Sequence, residues 1–375
     1  MRILPILFAA ATLAASAVAQ TPKINDAILK KDGSRVRGLE ITEFLLTGVR
    51  GKRGADPFEV PAHLVAAIEW SNLPDAFISG RASMERGDFR TATQMFGEAI
   101  NQTERPLVKA DAEFFLIKSA VSAIGADKGA AATAAARAKS WIAANANHWR
   151  TPEALFLAGR AERLAGTGGA AATTLRELDD RALREGFGAI WSARAKSELA
   201  LTLLADGKTS EARSAFQAAS SAVDSALTTP SPDDAELKVL KTQARVGEGE
   251  TFLGEKEFAK AESFFRGLTT GNEPALVAAG HAGEGQAIFL AAGPNGSPND
   301  IRRAQVCFAK ASVTDIASGE ASAKANYYLG RCLTALGAER EGDTWKERAT
   351  AYFQIVVTSY PSSPWATEAR LELAK

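Results

Sequence analysis

The sequence predicts a mainly α-helical fold: an α-solenoid of about seven helix pairs, preceded by a small β-rich segment. Hydrophobic residues alternate with a period of two only within residues 24–70, and they follow the helical period from Leu73 onward. The helical part repeats one pattern of small and aromatic residues about every 40 to 50 positions. With 375 residues, the chain is near the limit of a single compact core, which favours an elongated array of stacked units.

The charge balance argues against a nucleic-acid partner. The chain has 44 Lys and Arg residues against 44 Asp and Glu residues, so its formal net charge is zero. Nucleic-acid binding rests on a surplus of Lys and Arg that neutralises the phosphates. We therefore expect no nucleic-acid partner.

Residues 1–19 have the composition of a secretory signal peptide. Arg2 gives a positive start, residues 3–15 are apolar, and Ala17-Val18-Ala19 forms the small-x-small pattern that precedes cleavage. The apolar stretch is shorter than the roughly 20 residues that a membrane-spanning helix needs. We predict cleavage after Ala19 and a periplasmic or secreted protein, with an uncleaved anchor as the alternative. No later segment predicts an integral membrane span.

The two cysteines, Cys307 and Cys332, bear on lipid anchoring and on disulfide bonding. Neither lies at the predicted cleavage point, where a bacterial lipoprotein carries its lipid, so we expect a soluble mature protein. The two residues fall on neighbouring predicted helices, and an oxidising compartment would allow a disulfide between them. The alternative is that both are small buried residues of the core.

Residues 20–71 are predicted to form the small β-rich domain. Asp32-Gly33 lies between two alternating runs and indicates a hairpin with a type I′ turn, because both central residues of that turn need positive φ. Further short runs around Val60 and Ile68 complete a five-stranded, mini-barrel-like sheet. A local excess of basic residues either meets an acidic partner or is simply solvated; these residues are Lys30, Lys31, Arg35, Arg37, Arg50, Lys52 and Arg53.

Residues 72–375 are predicted to form the helical repeat domain, and its first unit shows the pattern most clearly. Small residues at Gly80 and Ala92 let two antiparallel helices approach, and Phe96 fills the gap between them. Such a pair cannot bury its apolar stripe alone, so the units stack. The positions that carry the pattern are Gly80, Gly87, Phe89, Ala92, Phe96 and Ala99. They resemble the signature of the tetratricopeptide repeat (TPR) family, which implies a TPR-like α-solenoid.

The pattern recurs down the chain with different fidelity. Unit two, within residues 110–146, has an Ala-rich second helix without an aromatic anchor, and units six and seven contain turn-rich insertions at residues 293–298 and 337–343. Residues 363–375 form a predicted capping helix with a polar surface, which favours a monomer. The recurring positions are Gly159, Ala171 and Leu175 in unit three, Gly207, Ala212 and Phe216 in unit four, Gly249, Ala261 and Phe265 in unit five, Gly285, Ala304 and Phe308 in unit six, and Gly330, Ala349 and Phe353 in unit seven.

The closing stretch, residues 351–366, is similar to the repeats of bacterial envelope proteins such as outer-membrane assembly lipoproteins and the Tol-Pal-associated periplasmic coordinator. This resemblance implies an adaptor that binds other envelope proteins. The absence of a lipid-carrying cysteine departs from the lipoproteins and leaves membrane tethering without support.

Motifs for catalysis, metals and cofactors are not evident in the sequence. His63, His148 and His281 are far apart, and none has a second ligand at metal-binding spacing. Residues 247–249 and 283–285 both read Gly-Glu-Gly, but each lies inside a helical pattern rather than after a strand, which indicates helix packing rather than phosphate binding. We therefore expect neither an enzyme nor a bound cofactor.

The concave face of a TPR superhelix is lined by the first helix of each pair, and two positions around the packing glycine point into it. An aromatic residue and an Arg occupy these positions three times. Unit two has an aromatic residue and Ser119, whereas Ser197 with Leu201 and Val246 with Glu250 interrupt the series in units four and five. The predicted groove residues are Phe77, Arg81, Phe115, Phe156, Arg160, Tyr327 and Arg331.

These residues allow two interpretations. In the functional one, aromatic faces and guanidinium groups bind a peptide, with Arg pairing a carboxylate. In the other, the aromatic residues are buried between units and each Arg covers its aromatic residue or pairs with a nearby Glu.

Two hypotheses for function follow. The first is an extracytoplasmic scaffold that binds another envelope protein through the concave face. The alternative is a glycan- or peptidoglycan-recognising accessory subunit of an envelope enzyme machine, with Trp141, Trp149, Trp191 and Trp365 as stacking platforms.

Overall fold

The computed structural model describes residues 24–125, 127–293, 296–314, 319–337, 344–361 and 363–375. Within these residues the chain forms a five-stranded antiparallel sheet followed by fifteen α-helices. The prediction of a mainly α fold with a small β-rich segment in front is therefore confirmed. The predicted signal peptide, residues 1–19, lies outside the described residues, as do parts of the two insertions.

The sheet curls because one long strand pairs with different partners along its length. Its order is β4-β3-β2-β1-β5. The first part of β2 pairs with β1, and the second part pairs with β3. Among the described residues β4 and β5 do not pair, so the sheet is open and the mini-barrel is not closed. The strands are β1 (Asp26–Lys30), β2 (Arg35–Leu45), β3 (Gly48–Arg53), β4 (Asp56–Pro61) and β5 (Val65–Glu69), with a short 3-10 turn (Ala62–Leu64) before β5.

The predicted type I′ turn at Asp32-Gly33 is wrong in its detail. Gly33 has a positive φ of 83°, but Asp32 does not, and four residues separate β1 from β2. The carboxylate of Asp32 accepts hydrogen bonds from the backbone nitrogen and the hydroxyl of Ser34, at 2.8 and 2.6 Å. This side-chain turn makes the second positive φ unnecessary.

The described helices form seven consecutive pairs and one final single helix, so the array is a TPR-like solenoid. The final helix, α15, lies where a capping helix was predicted. The pairs are α1 (Asp75–Glu85) with α2 (Phe89–Gln102), α3 (Pro106–Ala123) with α4 (Lys128–Ala144), α5 (Thr151–Leu164) with α6 (Gly168–Arg184), α7 (Ala189–Ala205) with α8 (Thr209–Ala226), α9 (Asp234–Gly254) with α10 (Phe258–Leu268), α11 (Pro274–Ala292) with α12 (Pro298–Thr314), and α13 (Gly319–Gly337) with α14 (Thr344–Ser359), followed by α15 (Pro364–Leu373).

Glycines on the first helix of a pair let the ring of the second helix pack directly on the backbone. A Cβ at Gly80 would lie 3.0 Å from the Phe96 ring, and one at Gly330 would lie 2.6 Å from the Phe353 ring. A larger residue at either position would force the two helices apart. This close approach explains why the first helices carry glycine despite its low helix propensity.

The two Gly-Glu-Gly motifs join consecutive units. In each motif the first glycine packs on the ring of the preceding pair, and the second glycine packs on the ring of its own pair. The contacts are Gly247–Phe216 and Gly249–Phe265 in the first motif, and Gly283–Phe265 and Gly285–Phe308 in the second. The prediction that these glycines serve helix packing is therefore confirmed.

The β segment and the first helices share one hydrophobic core. Because the apolar face of the sheet lies against α1 to α3, neither part buries its side chains alone. Members of this core are Ile28, Leu39, Val49 and Trp70 from the β segment and Phe77, Phe96 and Val108 from the helices.

Polar contacts also fix the β segment on the array. Asp26 of β1 is fully buried and pairs with Arg105, just before α3, at 2.6 Å. Lys31 of the β1–β2 turn pairs with Asp233, just before α9, at 2.8 Å. The β segment therefore contacts the array from its first unit to its fifth.

Candidate ligand-binding groove

A cavity of about 680 Å³ lies on the inner face of the array. Its lining comes mostly from α5, α7, α9, α11 and α13, which are the first helices of units three to seven, with further contributions from Phe216 of α8 and from α15. First helices line the concave face in arrays of helix pairs, so this cavity is the concave surface of the solenoid. We call it the groove.

The middle of the groove is apolar. Leu201 on α7 is 41% exposed, and Val246 and Leu240 on α9 lie beside it in the lining. The α11 side of the groove is formed by alanines spaced at three and four residues, which place them on one helix face. Their short side chains leave the space that larger ones would fill; these alanines are Ala275, Ala279 and Ala282.

Most charged side chains of the groove are neutralised within the protein. Lys324 lies 5.4 Å from the centroid of the Trp365 ring and also pairs with α9, so it links three helices. Glu320 accepts a hydrogen bond of 2.9 Å from the hydroxyl of Ser363. The ion pairs are Arg163–Glu198, Arg194–Glu236 and Lys324–Glu250.

Arg160 and Ser197 are polar side chains of the groove that lack partners among the described residues. Arg160 on α5 is exposed and makes no hydrogen bond or ion pair within the described part of the chain. Ser197 on α7 is 9% exposed, and its Oγ has no hydrogen-bond partner there either. Because buried polar groups are normally satisfied, the Ser197 hydroxyl is open to a hydrogen bond from a ligand in the cavity.

The predicted aromatic residues differ in whether they are exposed to the groove or buried between helices. Phe156 lies in the lining of the groove. Phe77 and Tyr327 are only 0% and 4% exposed, so the prediction that they offer a face to a ligand is wrong. Phe77 packs against the Phe96 ring at 5.4 Å, because that ring already occupies the gap beside the packing glycine.

The other predicted residues have packing partners. Arg81 lies 5.9 Å from the centroid of the half-buried Phe115 ring. Arg331 donates a hydrogen bond of 2.9 Å to the Tyr327 hydroxyl and pairs with Glu372 of α15 at 3.4 Å. At these two ends of the array, the structure agrees with the interpretation in which each Arg covers an aromatic residue or pairs with Glu.

The groove also contains residues that sequence reasoning set aside. Ser197, Leu201, Val246 and Glu250 occupy the two concave positions of units four and five, and all four line the groove. Their positions relative to the packing glycine predict that they face the groove. They were not counted as groove residues because they do not consist of an aromatic residue followed by Arg. Trp365 was named only as a stacking platform in the glycan hypothesis and not among the predicted groove residues, because nothing in the sequence shows that α15 reaches the groove lining.

A second cavity, of about 370 Å³, lies at the seam between the β segment and units three to five. Its charged lining residues pair with one another or with their neighbours: Lys31 with Asp233, and Arg194 with Glu236. The guanidinium of Arg194 lies 4.3 Å from the centroid of the Trp191 ring. These contacts hold the seam together.

The tryptophans named for glycan stacking are mostly covered. Trp141 is 4% exposed and Trp149 is 8% exposed, so neither offers a face to a sugar. Trp191 and Trp365 are half-buried, and a cation lies over each ring: Arg194 in one case and Lys324 in the other.

His148 is buried and His281 is partly buried, and neither belongs to a cluster of metal-binding residues within the described part of the chain. Burial, with the nearby Arg150 charge, holds the pKa of His148 well below its ordinary value of 6.5. Burial also lowers the pKa of His281 below 6.5. The described residues contain no group of three or more His, Cys, Asp or Glu that could hold a metal ion.

Cys307 on α12 and Cys332 on α13 lie on neighbouring helices, and both are free thiols. Burial raises the pKa of Cys307 to about 11 and that of Cys332 to about 12. Both thiols are therefore uncharged near neutral pH, and the disulfide between them stays a prediction.

The basic residues of the β segment are largely balanced by acidic neighbours. Arg50 pairs with Glu59 at 2.7 Å, and Arg35 pairs with Glu69 at 3.1 Å. The cross-strand register also sets Lys52 opposite Glu40. These pairs fit solvated surface charges better than a site for an acidic partner.

Among the described residues, none of the helices combines the length and the apolar composition that crossing a bilayer requires.

Comparisons with known proteins give similarity in structure alone. No protein-family model matches the chain, and no curated protein matches it. A tetratricopeptide repeat protein from Parabacteroides merdae is similar at 13% identity over 79% of this chain and 96% of that chain, with a TM-score of 0.47. The Rap protein in complex with competence and sporulation factor is similar at 14% identity over 75% of this chain and 74% of that chain, with a TM-score of 0.43.

Proposed function

We propose that this protein is a non-enzymatic scaffold that binds a segment of another protein in the groove. The observation that carries the proposal is the one cavity to which the first helices of five successive units contribute, with an apolar middle. A cavity of about 680 Å³ accommodates several side chains of a peptide. Leu201 lies in that lining with 41% of its surface exposed, which is the type of residue that a bound segment covers.

The proposed place of action is outside the cytoplasm, with an envelope protein as the partner. The predicted signal peptide at residues 1–19 supports this location, and the resemblance of residues 351–366 to envelope adaptor repeats supports this class of partner. The protein acts as a monomer in this proposal, because α15 covers the last unit with Ala366 and Ala369 and presents Glu368 and Arg370 to solvent.

A photo-crosslinking experiment in the native envelope tests the proposal. A benzophenone amino acid replaces Leu201 in the groove, and the control carries it at Leu183, which is 72% exposed on α6. We expect the first variant to capture one envelope protein that the control does not capture. Equal capture by both variants, or none at the Leu201 position, would contradict binding in the groove.

Glycan recognition is the second candidate, and Trp365 in the groove is the observation that favours it. It has less support, because Lys324 already lies over that indole. Soluble cell-wall fragments that leave the tryptophan fluorescence and the melting temperature unchanged would exclude this candidate.

A further inference from the structure

The groove contains one cation that the described residues leave unneutralised. Arg163, Arg194 and Lys324 each have a carboxylate partner. Arg160 has none and is exposed on α5, one helical turn after Phe156. A guanidinium group binds a carboxylate in a bidentate manner, so Arg160 is available for an acidic group of a ligand.

An unsatisfied hydroxyl lies on the next first helix along the array. Ser197 on α7 is nine-tenths buried, and its Oγ lacks a hydrogen-bond partner among the described residues. The hydroxyl can either donate or accept a hydrogen bond, so it suits the amide backbone or a polar side chain of a peptide. Ser197 and Arg160 thus supply two polar contacts on adjacent units of the same cavity.

The rest of the lining restricts the ligand further. Phe156, Leu201 and Val246 require apolar groups beside the acidic one. A phosphate group carries a charge close to −2 and would need more than one free cation, whereas a carboxylate carries a single charge and needs one. The charge balance therefore favours a carboxylate over a phosphate.

We infer that the partner segment is an apolar peptide with one acidic residue, whose carboxylate pairs with Arg160 while a neighbouring polar group hydrogen-bonds to Ser197. This inference rests on the proposed function, because it assigns the chemistry of the segment that the groove binds. Arg160 and Ser197 set the specificity, and the apolar lining supplies contact area.

Selection from a random dodecapeptide library on the purified mature protein tests the inference. We expect the selected peptides to combine apolar residues with Asp or Glu, and to keep their binding when the C-terminus is amidated. Arg160→Glu should weaken the binding of these peptides by about 10- to 100-fold, because a charge-assisted contact becomes a repulsion. Replacing the peptide's Asp or Glu with Asn or Gln should weaken binding to the wild-type protein but strengthen binding to Arg160→Glu, because it removes the repulsion between the two carboxylates.

The control variant is Arg176→Glu. Arg176 belongs to the same unit, but it is exposed on the second helix, α6, outside the groove. It should bind the selected peptides as the wild-type protein does. Arg160→Gln serves as a milder variant, and circular dichroism melting checks that each variant is folded.

The outcomes separate this inference from the proposed function. Leu201→Glu should abolish the binding of the selected peptides if they bind in the groove. If it does so, but the peptides show no preference for acidic residues or bind Arg160→Glu as they bind the wild type, the carboxylate contact is overturned and groove binding stays intact. If the library yields no peptide, or if Leu201→Glu binds every selected peptide unchanged, then groove binding and the carboxylate contact are both contradicted.

Discussion

Asp111 is a buried charge whose two carboxylate oxygens both have partners. It is fully buried and accepts hydrogen bonds of 2.7 Å from the Nε of Arg150 and 2.9 Å from the Nε1 of Trp70. A buried charge is tolerated when it is paired with an opposite charge, and removing one member of the pair leaves the other buried and uncompensated. Ser197 and His148 differ from Asp111, because each has a buried polar atom without a partner among the described residues.

Ser197→Ala should not destabilise the protein. Because the Oγ of Ser197 has no hydrogen-bond partner among the described residues, its removal should leave stability unchanged or raise it by up to about 1 kcal/mol. The control is Ser119→Ala, which removes a hydrogen bond of 2.6 Å to the Phe115 carbonyl and should cost about 1 kcal/mol. Urea unfolding measures both values, and a clear loss of stability in Ser197→Ala would contradict the unsatisfied state of Ser197.

The free energy of unfolding should decrease as the pH is lowered, and the protonation of His148 should contribute to that decrease. Its pKa in the folded protein lies well below 6.5, because of burial and the Arg150 charge. The unfolded chain therefore takes up a proton first, so the stabilisation is complete above pH 6.5 and decreases as the pH falls below it. His148→Asn should reduce this decrease, because Asn keeps an acceptor for the Arg150 backbone nitrogen but does not titrate.

The measurement is the free energy of unfolding of the wild-type protein and of His148→Asn between pH 7.5 and 5. The two proteins differ in absolute stability, since Asn loses the contact with the Phe44 ring at 4.3 Å, so the slopes are compared. His281, whose pKa is also lowered, should leave a residual slope in the variant. Equal slopes for the two proteins would show that His148 is not responsible.

At the scale of helices and strands, the repeat pattern was predictable because each helix pair follows local rules. Gly80 precedes Phe96, and Gly249 precedes Phe265, by the same 16 positions, because the ring of one helix needs the bare backbone of the other. The repeated pattern of an aromatic residue followed by Arg did not predict the groove residues correctly, because it too describes single helices only. The sequence gives the helix face of a residue such as Phe77, but the neighbouring pair decides whether that face is covered.

Two glycine substitutions on adjacent helices should have opposite effects. A Cβ at Gly249 would overlap the Phe265 ring, so Gly249→Ala should cost about 1 to 3 kcal/mol. A Cβ at Gly267 on α10 would meet nothing within 4 Å, so Gly267→Ala should stabilise the protein by up to about 1 kcal/mol through helix propensity. Thermal unfolding of both variants tests the pair. If Gly249→Ala were as stable as the wild type, the close helix approach would be wrong.

At the scale of the whole molecule, the β segment and the solenoid behave as parts of one folded unit. Ile28 of the sheet and Phe96 of the second helix belong to the same core. Lys31 also reaches the beginning of α9, 202 residues away in sequence. Because these contacts join distant parts of the chain, loss of the β segment should affect the helical array as well.

Asp26→Ala tests this coupling in the full chain. Asp26 is fully buried and pairs with Arg105, so its removal leaves that guanidinium unpaired and should cost about 3 to 5 kcal/mol. The control, Asp32→Ala, removes only the hydrogen bonds of an exposed turn and should cost no more than about 1 kcal/mol. Helical circular dichroism reports the array, and tryptic cleavage after Lys30 or Lys31 reports the β segment. Loss of the β segment alone, with the helices melting as in the wild type, would show that the two parts are independent.

The sequence by itself determined the order of strands and helices, the number of helix pairs and the glycine contacts within pairs. These features depend on residues that are close along the chain, so local patterns such as Gly80 with Phe96 are sufficient to identify them. Tertiary structure alone decided where the cavity lies and which of its charges are paired. Glu250 meets Lys324, 74 residues later, and Trp365 of the last helix closes the groove. The summed curvature of several stacked units brings such residues together, and no short stretch of sequence records that sum.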